Sequence, residues 1–122
     1  MLKTLTFEKR EIDFYAQHVT YDELTVGDDY YMISYADGDC KIPVMESLIY
    51  LGKNIVGLDS AETLYFQDAE SYRAGVRVTD SPERGTYELH GLKPDQLDMI
   101  YDFERALEEL MRCSMQRKKI FR

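Results

Sequence analysis

The chain has 122 residues, with 15 Lys plus Arg against 23 Asp plus Glu, a formal net charge of −8, and 44% hydrophobic residues. That length and composition describe a single globular domain with one core. The acid excess argues against general phosphate binding, which rests on Lys and Arg neutralising the backbone, and no apolar run approaches the ~20 residues of a membrane span.

The start of the chain, Met1–Glu11, is charged and lacks the apolar stretch of a signal peptide, so a cytoplasmic location is expected. Within residues 1–20, Glu8–Gln17 places Ile12 and Tyr15 three apart with Val19 four further on, the pattern of a short amphipathic helix. Leu2–Phe7 reads as a strand leading into it or as part of it. From about residue 24 to residue 90 the pattern turns to β.

Asp37-Gly38 is the dipeptide of a two-residue type I′ hairpin, whose central residues both need positive φ. With Ala36 opposite Asp39, Tyr35 would face Cys40, Ile33 would face Ile42 and Tyr31 would face Val44. All six side chains then share one apolar face. Pro43 lacks a backbone donor and belongs at an edge or a bulge. The run Ser47–Leu51 extends the sheet, and Lys53–Glu62 reads as a loop. Thr63–Gln67 is a further strand, with Leu64 and Phe66 on one face and Tyr65 and Gln67 on the other. Asp68–Gly75 reads as a single helical turn ending at Gly75. Val76–Val78 and Thr86–Leu89 are short strand segments separated by a polar turn.

Pro94 and the acidic Asp95 and Asp98 mark the start of a long C-terminal helix over residues 94–118. Leu97, Ile100, Phe103, Leu107, Leu110 and Ser114 recur at spacings of three and four, widened by Met111 and Met115. That stripe is expected to face the core. Asp98, Asp102, Arg105, Glu109 and Arg112 fall on the opposite, solvated side. The expected architecture is α+β: a small antiparallel β meander or SH3-like partial barrel, with a short N-terminal helix and a long C-terminal amphipathic helix. The phrase Leu24-x-Val26-Gly27-Asp28-x-Tyr30 before a strand resembles the opening of SH3-like barrels, and this resemblance implies a fold only.

Residues 1–111 hold ten basic and 23 acidic residues, a balance of −13, while residues 112–122 hold five basic residues and no acidic one. In the tail (119–122) and the last helical turn, Arg117, Lys118, Lys119 and Arg122 are the one nucleic-acid candidate in a chain otherwise unsuited to it. They equally complement the negative end of the helix. Cys40 and Cys113 lie far apart with no local His or Cys partner, and His18 and His90 are scattered. Neither a disulfide nor a metal site is expected, and no cofactor. The common nucleotide, nucleophile-elbow and zinc-helix motifs do not occur.

The densest polar cluster is Gln67-Asp68-Ala69-Glu70-Ser71-Tyr72-Arg73, directly after a strand. On one reading Asp68 and Glu70 accept hydrogen bonds from a cationic or amide-bearing partner while Gln67 and Arg73 orient it. On the other, Asp68 caps the turn through Ser71 and Tyr72, and Arg73 pairs with a carboxylate of this chain. Tyr30 and Tyr65 fall on the more polar strand faces and extend the first reading to a sheet face, because tyrosine supplies contact area at low entropy cost. The expected function is therefore a small acidic protein–protein interaction module without catalysis. Its partner surface would be Tyr30, Tyr65, Gln67, Asp68, Glu70, Tyr72 and Arg73, its partner a protein with a basic surface, and a homodimer is an open alternative. Two other functions fit the sequence: an acidic inhibitor or immunity-type protein that covers a cationic enzyme site, and a carboxylate-based enzyme on a small polar substrate.

Overall fold

A computed structural model of the chain describes residues 3–6, 8–9, 11–12, 17–39, 42–55, 62–78 and 85–120, the last two without their side chains. Five strands, β1 (Asp29–Tyr35), β2 (Pro43–Lys53), β3 (Leu64–Asp68), β4 (Leu89–Leu92) and β5 (Ile100–Tyr101), form one open sheet in the order β4-β3-β2-β1-β5. All four pairings are antiparallel. The first four strands make the expected meander, and β5 adds to the outer edge of β1. Helix α1 (Ala69–Arg73) follows β3 directly, and α2 (Phe103–Ile120) ends the described chain. No helix among the described residues is long and apolar enough to cross a membrane.

Both faces of the sheet are covered, which is why its interior strand β3 has four consecutive buried residues. On one face Tyr30, Leu48, Tyr50, Leu64, Phe66 and Ile100 pack with Val19 and Leu97 into the main core. The Phe66 ring meets Tyr30 edge-on at 6.2 Å and Tyr50 at 5.2 Å. On the other face Ile33 and Tyr101 pack with Ala106 of α2, and Tyr31 and Tyr35 flank them.

The β1–β2 hairpin departs from the expected register by three residues. Tyr35 faces Pro43, Ile33 faces Met45 and Tyr31 faces Ser47. Asp37 is the reason: its Oδ1 accepts the Ile42 N–H at 2.8 Å, and the Ala36 N–H donates to the Ile42 carbonyl at 2.9 Å. The aspartate side chain thus closes a wider loop in place of a two-residue turn. Ile42 and Val44, assigned to the core by the shorter register, are exposed. Pro43 is the first residue of its strand, where its missing donor costs no ladder bond. Cys40 lies outside the described residues.

The N-terminal region differs as well. The described residues of Glu8–Gln17 carry no helix, and the rest of that segment lies outside the described set. A single 3-10 turn forms instead at Tyr21–Glu23. The Tyr30 hydroxyl pins the chain behind it, accepting from Thr25 N–H at 2.8 Å and donating to the Glu23 carbonyl at 3.3 Å. Val76–Val78 is not a strand.

Helix α2 begins nine residues later than Pro94. Leu97 and Ile100 still reach the core, but from a loop and from β5. Asp102 stops the helix from extending backward: its Oδ1 accepts the Arg105 N–H at 2.9 Å, an N-cap arrangement. The 18 helical residues span about 27 Å at 1.5 Å each. The helix also presents a different face from the one expected, turned by roughly 100° about its axis. Ala106, Glu109 and Cys113 are buried, whereas Phe103 is 65% and Leu107 38% exposed. Small Ala106 and Cys113 let the helix approach β1 and β5 closely, and Tyr35 and Arg112 satisfy the carboxylate between them. Arg117 and Lys118 sit exposed in the last turns, and the Lys119 side chain and Arg122 lie outside the described residues.

Candidate functional site

Strand β3 ends at Asp68, where the chain turns into α1, while β2 continues past it toward Pro43. Side chains of β2 and of the start of β4 therefore meet across the space that β3 vacates. Glu46 comes from β2, two residues beyond Leu48, which pairs with Asp68. Glu88 and His90 come from the other side, two apart on extended backbone and hence on one face. The result is an open groove of about 760 Å³ lined by Glu46, Ser47, Asp68, Glu70, Tyr87 and Glu88, among others. Among its described lining residues there is no Lys or Arg.

Asp68 organises this region. Its side chain accepts from Ser71 N–H at 2.9 Å, Ser71 Oγ at 2.6 Å and Glu88 N–H at 2.7 Å, while the Asp68 N–H donates to the Glu88 carbonyl at 3.1 Å. Partial burial pushes the Asp68 carboxyl upward, but these hydrogen bonds outweigh it and hold the group below the ordinary carboxylate range. Asp68 thereby fixes both the first turn of α1 and the position of Glu88.

His90 stands behind the groove, half-buried. Its Nε2 lies 3.3 Å from Glu46 Oε2 and 4.0 Å from Glu88 Oε2. The nitrogen is shielded from solvent and makes no hydrogen bond. Among the described residues, Glu46, Glu88 and His90 are a group whose ligand atoms all fall within 4.8 Å of one another, near enough to converge on one cation.

The residues expected to form the partner surface divide among four places. Tyr30 is 4% and Tyr65 8% exposed, so neither stands on an open sheet face. Gln67 is fully buried, its Nε2 donating to Ser71 Oγ and to the Val76 carbonyl. Both faces of the sheet are covered, and that is why alternation alone misplaced these three. Asp68 and Glu70 line the acidic groove. Tyr72 is half-buried beside a second, smaller hollow, with the Arg77 guanidinium 3.8 Å above its ring. Arg73 pairs with Asp29. Capping by Asp68 and pairing of Arg73 within the chain are thus both present, and the groove remains as the polar surface of this corner.

Sequence reasoning passed over Glu46, Glu88 and His90. The signal for two of them was present: Glu88-Leu89-His90 places a carboxylate and an imidazole on one face of any strand. Glu46 joins them only through the β2–β3–β4 pairing. No protein-family model, curated protein or solved structure matches the chain.

Proposed function

We propose that the chain is a small, non-catalytic protein–protein interaction module of the cytoplasm, and that it receives a basic segment of a partner protein in the groove of Glu46, Glu70 and Glu88. The observation that carries this reading is the groove itself: four carboxylate residues converge on a hollow of about 760 Å³ with no Lys or Arg among the described lining residues. Asp68 is committed to its cap, which leaves Glu46, Glu70 and Glu88 facing solvent. Ser47, Thr86 and Tyr87 supply hydroxyls and one aromatic edge around them. Charge on this scale steers an oppositely charged partner and fixes its orientation more than it adds raw affinity.

The balance of −13 on residues 1–111 favours a second reading of the same surface, as an inhibitor that covers a cationic enzyme site. The two readings part on salt. A charge-mimicking inhibitor loses association rate steeply as ionic strength rises, whereas a module anchored by Tyr87 and the hydroxyls loses it mildly.

The test is a photo-crosslinking phenylalanine introduced at Thr86, in the groove, and in a second protein at Asp95, an exposed position outside it. Adducts of defined mass formed in the native cell from position 86 and not from position 95 are expected. Identical adduct patterns from both positions would refute the groove as the partner surface.

A further inference from the structure

We propose that Glu46, Glu88 and His90 form a binding site for a divalent first-row transition-metal ion, zinc foremost. The inference needs only this chain and the ion, and it holds or fails independently of any partner.

The geometry is the first argument. Two ligands held about 2.1 Å from a tetrahedral zinc stand about 3.4 Å apart. His90 Nε2 and Glu46 Oε2 are 3.3 Å apart, and Glu88 Oε2 is 4.0 Å from the same nitrogen. Both carboxylates are exposed on their outer side and can close the remaining gap by rotating about their side-chain bonds.

The state of the imidazole is the second argument. His90 Nε2 is shielded from water, yet it makes no hydrogen bond even though a carboxylate oxygen lies 3.3 Å away. The contact has the distance of a bond without its alignment. A buried ring nitrogen without a hydrogen-bond partner is costly unless its lone pair is used. An ion placed between the three side chains uses it, and at the same time neutralises two carboxylates held close together.

Donor chemistry selects the ion. An imidazole nitrogen with two carboxylates suits zinc and its neighbours, whereas calcium and magnesium take oxygen donors alone. Three protein ligands leave at least one position open toward the groove for water. The backbone that carries one of the ligands is held in place as well, because the Asp68 carboxylate accepts the Glu88 N–H at 2.7 Å. A bound ion would tie β2 to β4 across the end of β3.

The experiment is calorimetric titration of zinc ion into chelator-treated protein, for the native chain and for His90→Asn, Glu46→Gln and His18→Asn. One ion per chain is expected. His90→Asn and Glu46→Gln should each weaken binding tenfold or more, and His18→Asn should leave it within about twofold. Circular dichroism on each variant confirms that the fold is retained. Should His90→Asn fail to fold, the visible spectrum of the cobalt-substituted native chain decides: nitrogen and oxygen ligation without a thiolate charge-transfer band supports the site, and a thiolate band overturns it by placing the metal on a cysteine. Absence of saturable binding, or undiminished binding by His90→Asn, would also overturn the proposal and leave His90 as an ion-pair partner of Glu46.

Discussion

Glu23 shows how much one exposed side chain can join. Its carboxylate accepts from Arg105 Nη1 at 3.0 Å and Nη2 at 2.7 Å, and from the Thr20 N–H and hydroxyl at 2.9 Å each. The Arg105 bonds first, then those of Thr20, lower its pKa from 4.5 to about 2. A group whose pKa is lower in the folded state adds stability above its unfolded value and loses that stability as pH falls through the folded one. Glu23→Gln should therefore be less stable than the native chain at pH 7. In urea melts across pH, the gap should shrink between about pH 4.5 and pH 2 and vanish below. A gap independent of pH over that window would mean that the Arg105 clamp contributes nothing. Asp68→Ala removes an N-cap and also strips the Glu88 N–H of its acceptor, so it should cost about 1–2 kcal/mol in the same assay at pH 7. Because the Asp68 carboxyl is also held low, that cost too should fade under acid.

The most informative element is α2. Leu107 belongs to the apolar stripe that spacing assigns to the core, yet it is 38% exposed, and Glu109, assigned to solvent, is 2% exposed. Leu107→Ser should change stability by less than about 0.5 kcal/mol, while Ala106→Leu should cost about 1–3 kcal/mol by overfilling the contact with Ile33 and Tyr101. The reverse ranking in thermal melts would restore the stripe. Arg112 and the Tyr35 hydroxyl both bond Glu109, with Arg112 Nε 3.2 Å from Oε2. Arg112→Ala leaves that carboxylate buried with only the Tyr35 hydroxyl and the weak Cys113 thiol donor beside it, a change expected to cost about 3 kcal/mol or more.

The same helix shows what the sequence does and does not carry. Periodicity locates the helix from Phe103 onward, but the same spacing also takes in Leu97 and Ile100, which lie in a loop and in β5. It does not say which stripe faces the sheet when the partner strand brings Tyr35, a donor able to satisfy a carboxylate. The β1–β2 hairpin makes the parallel point: alternation placed Tyr31, Ile33 and Tyr35 together on one face, and the Asp37–Ile42 bond then moved their partners by three residues. Thr63–Gln67 was legible as a strand, but not as a central one, so Tyr65 and Gln67 seemed available when both are buried. The groove was half legible through Asp68 and Glu70. Glu46 and Glu88 join it through strand pairing, which no local pattern records.

On the scale of the whole molecule, an acidic body carries its polar opening at one end of the sheet, between β2 and β4, while α2 runs along the face of β1 and β5. The net charge of −8 is carried by a body whose groove we propose receives a cation, either a basic side chain of a partner or, at Glu46, Glu88 and His90, a metal ion. We assign the partner-binding surface to Glu46, Glu70 and Glu88. The measurement that tests it most directly is quantitative capture from the native cell by the native chain and by the Glu46→Gln, Glu70→Gln, Glu88→Gln triple variant, with the fold of the variant verified by its thermal melt. At least one protein with a basic surface should be retained by the native chain and lost by the variant. An identical set of proteins on both would contradict that assignment.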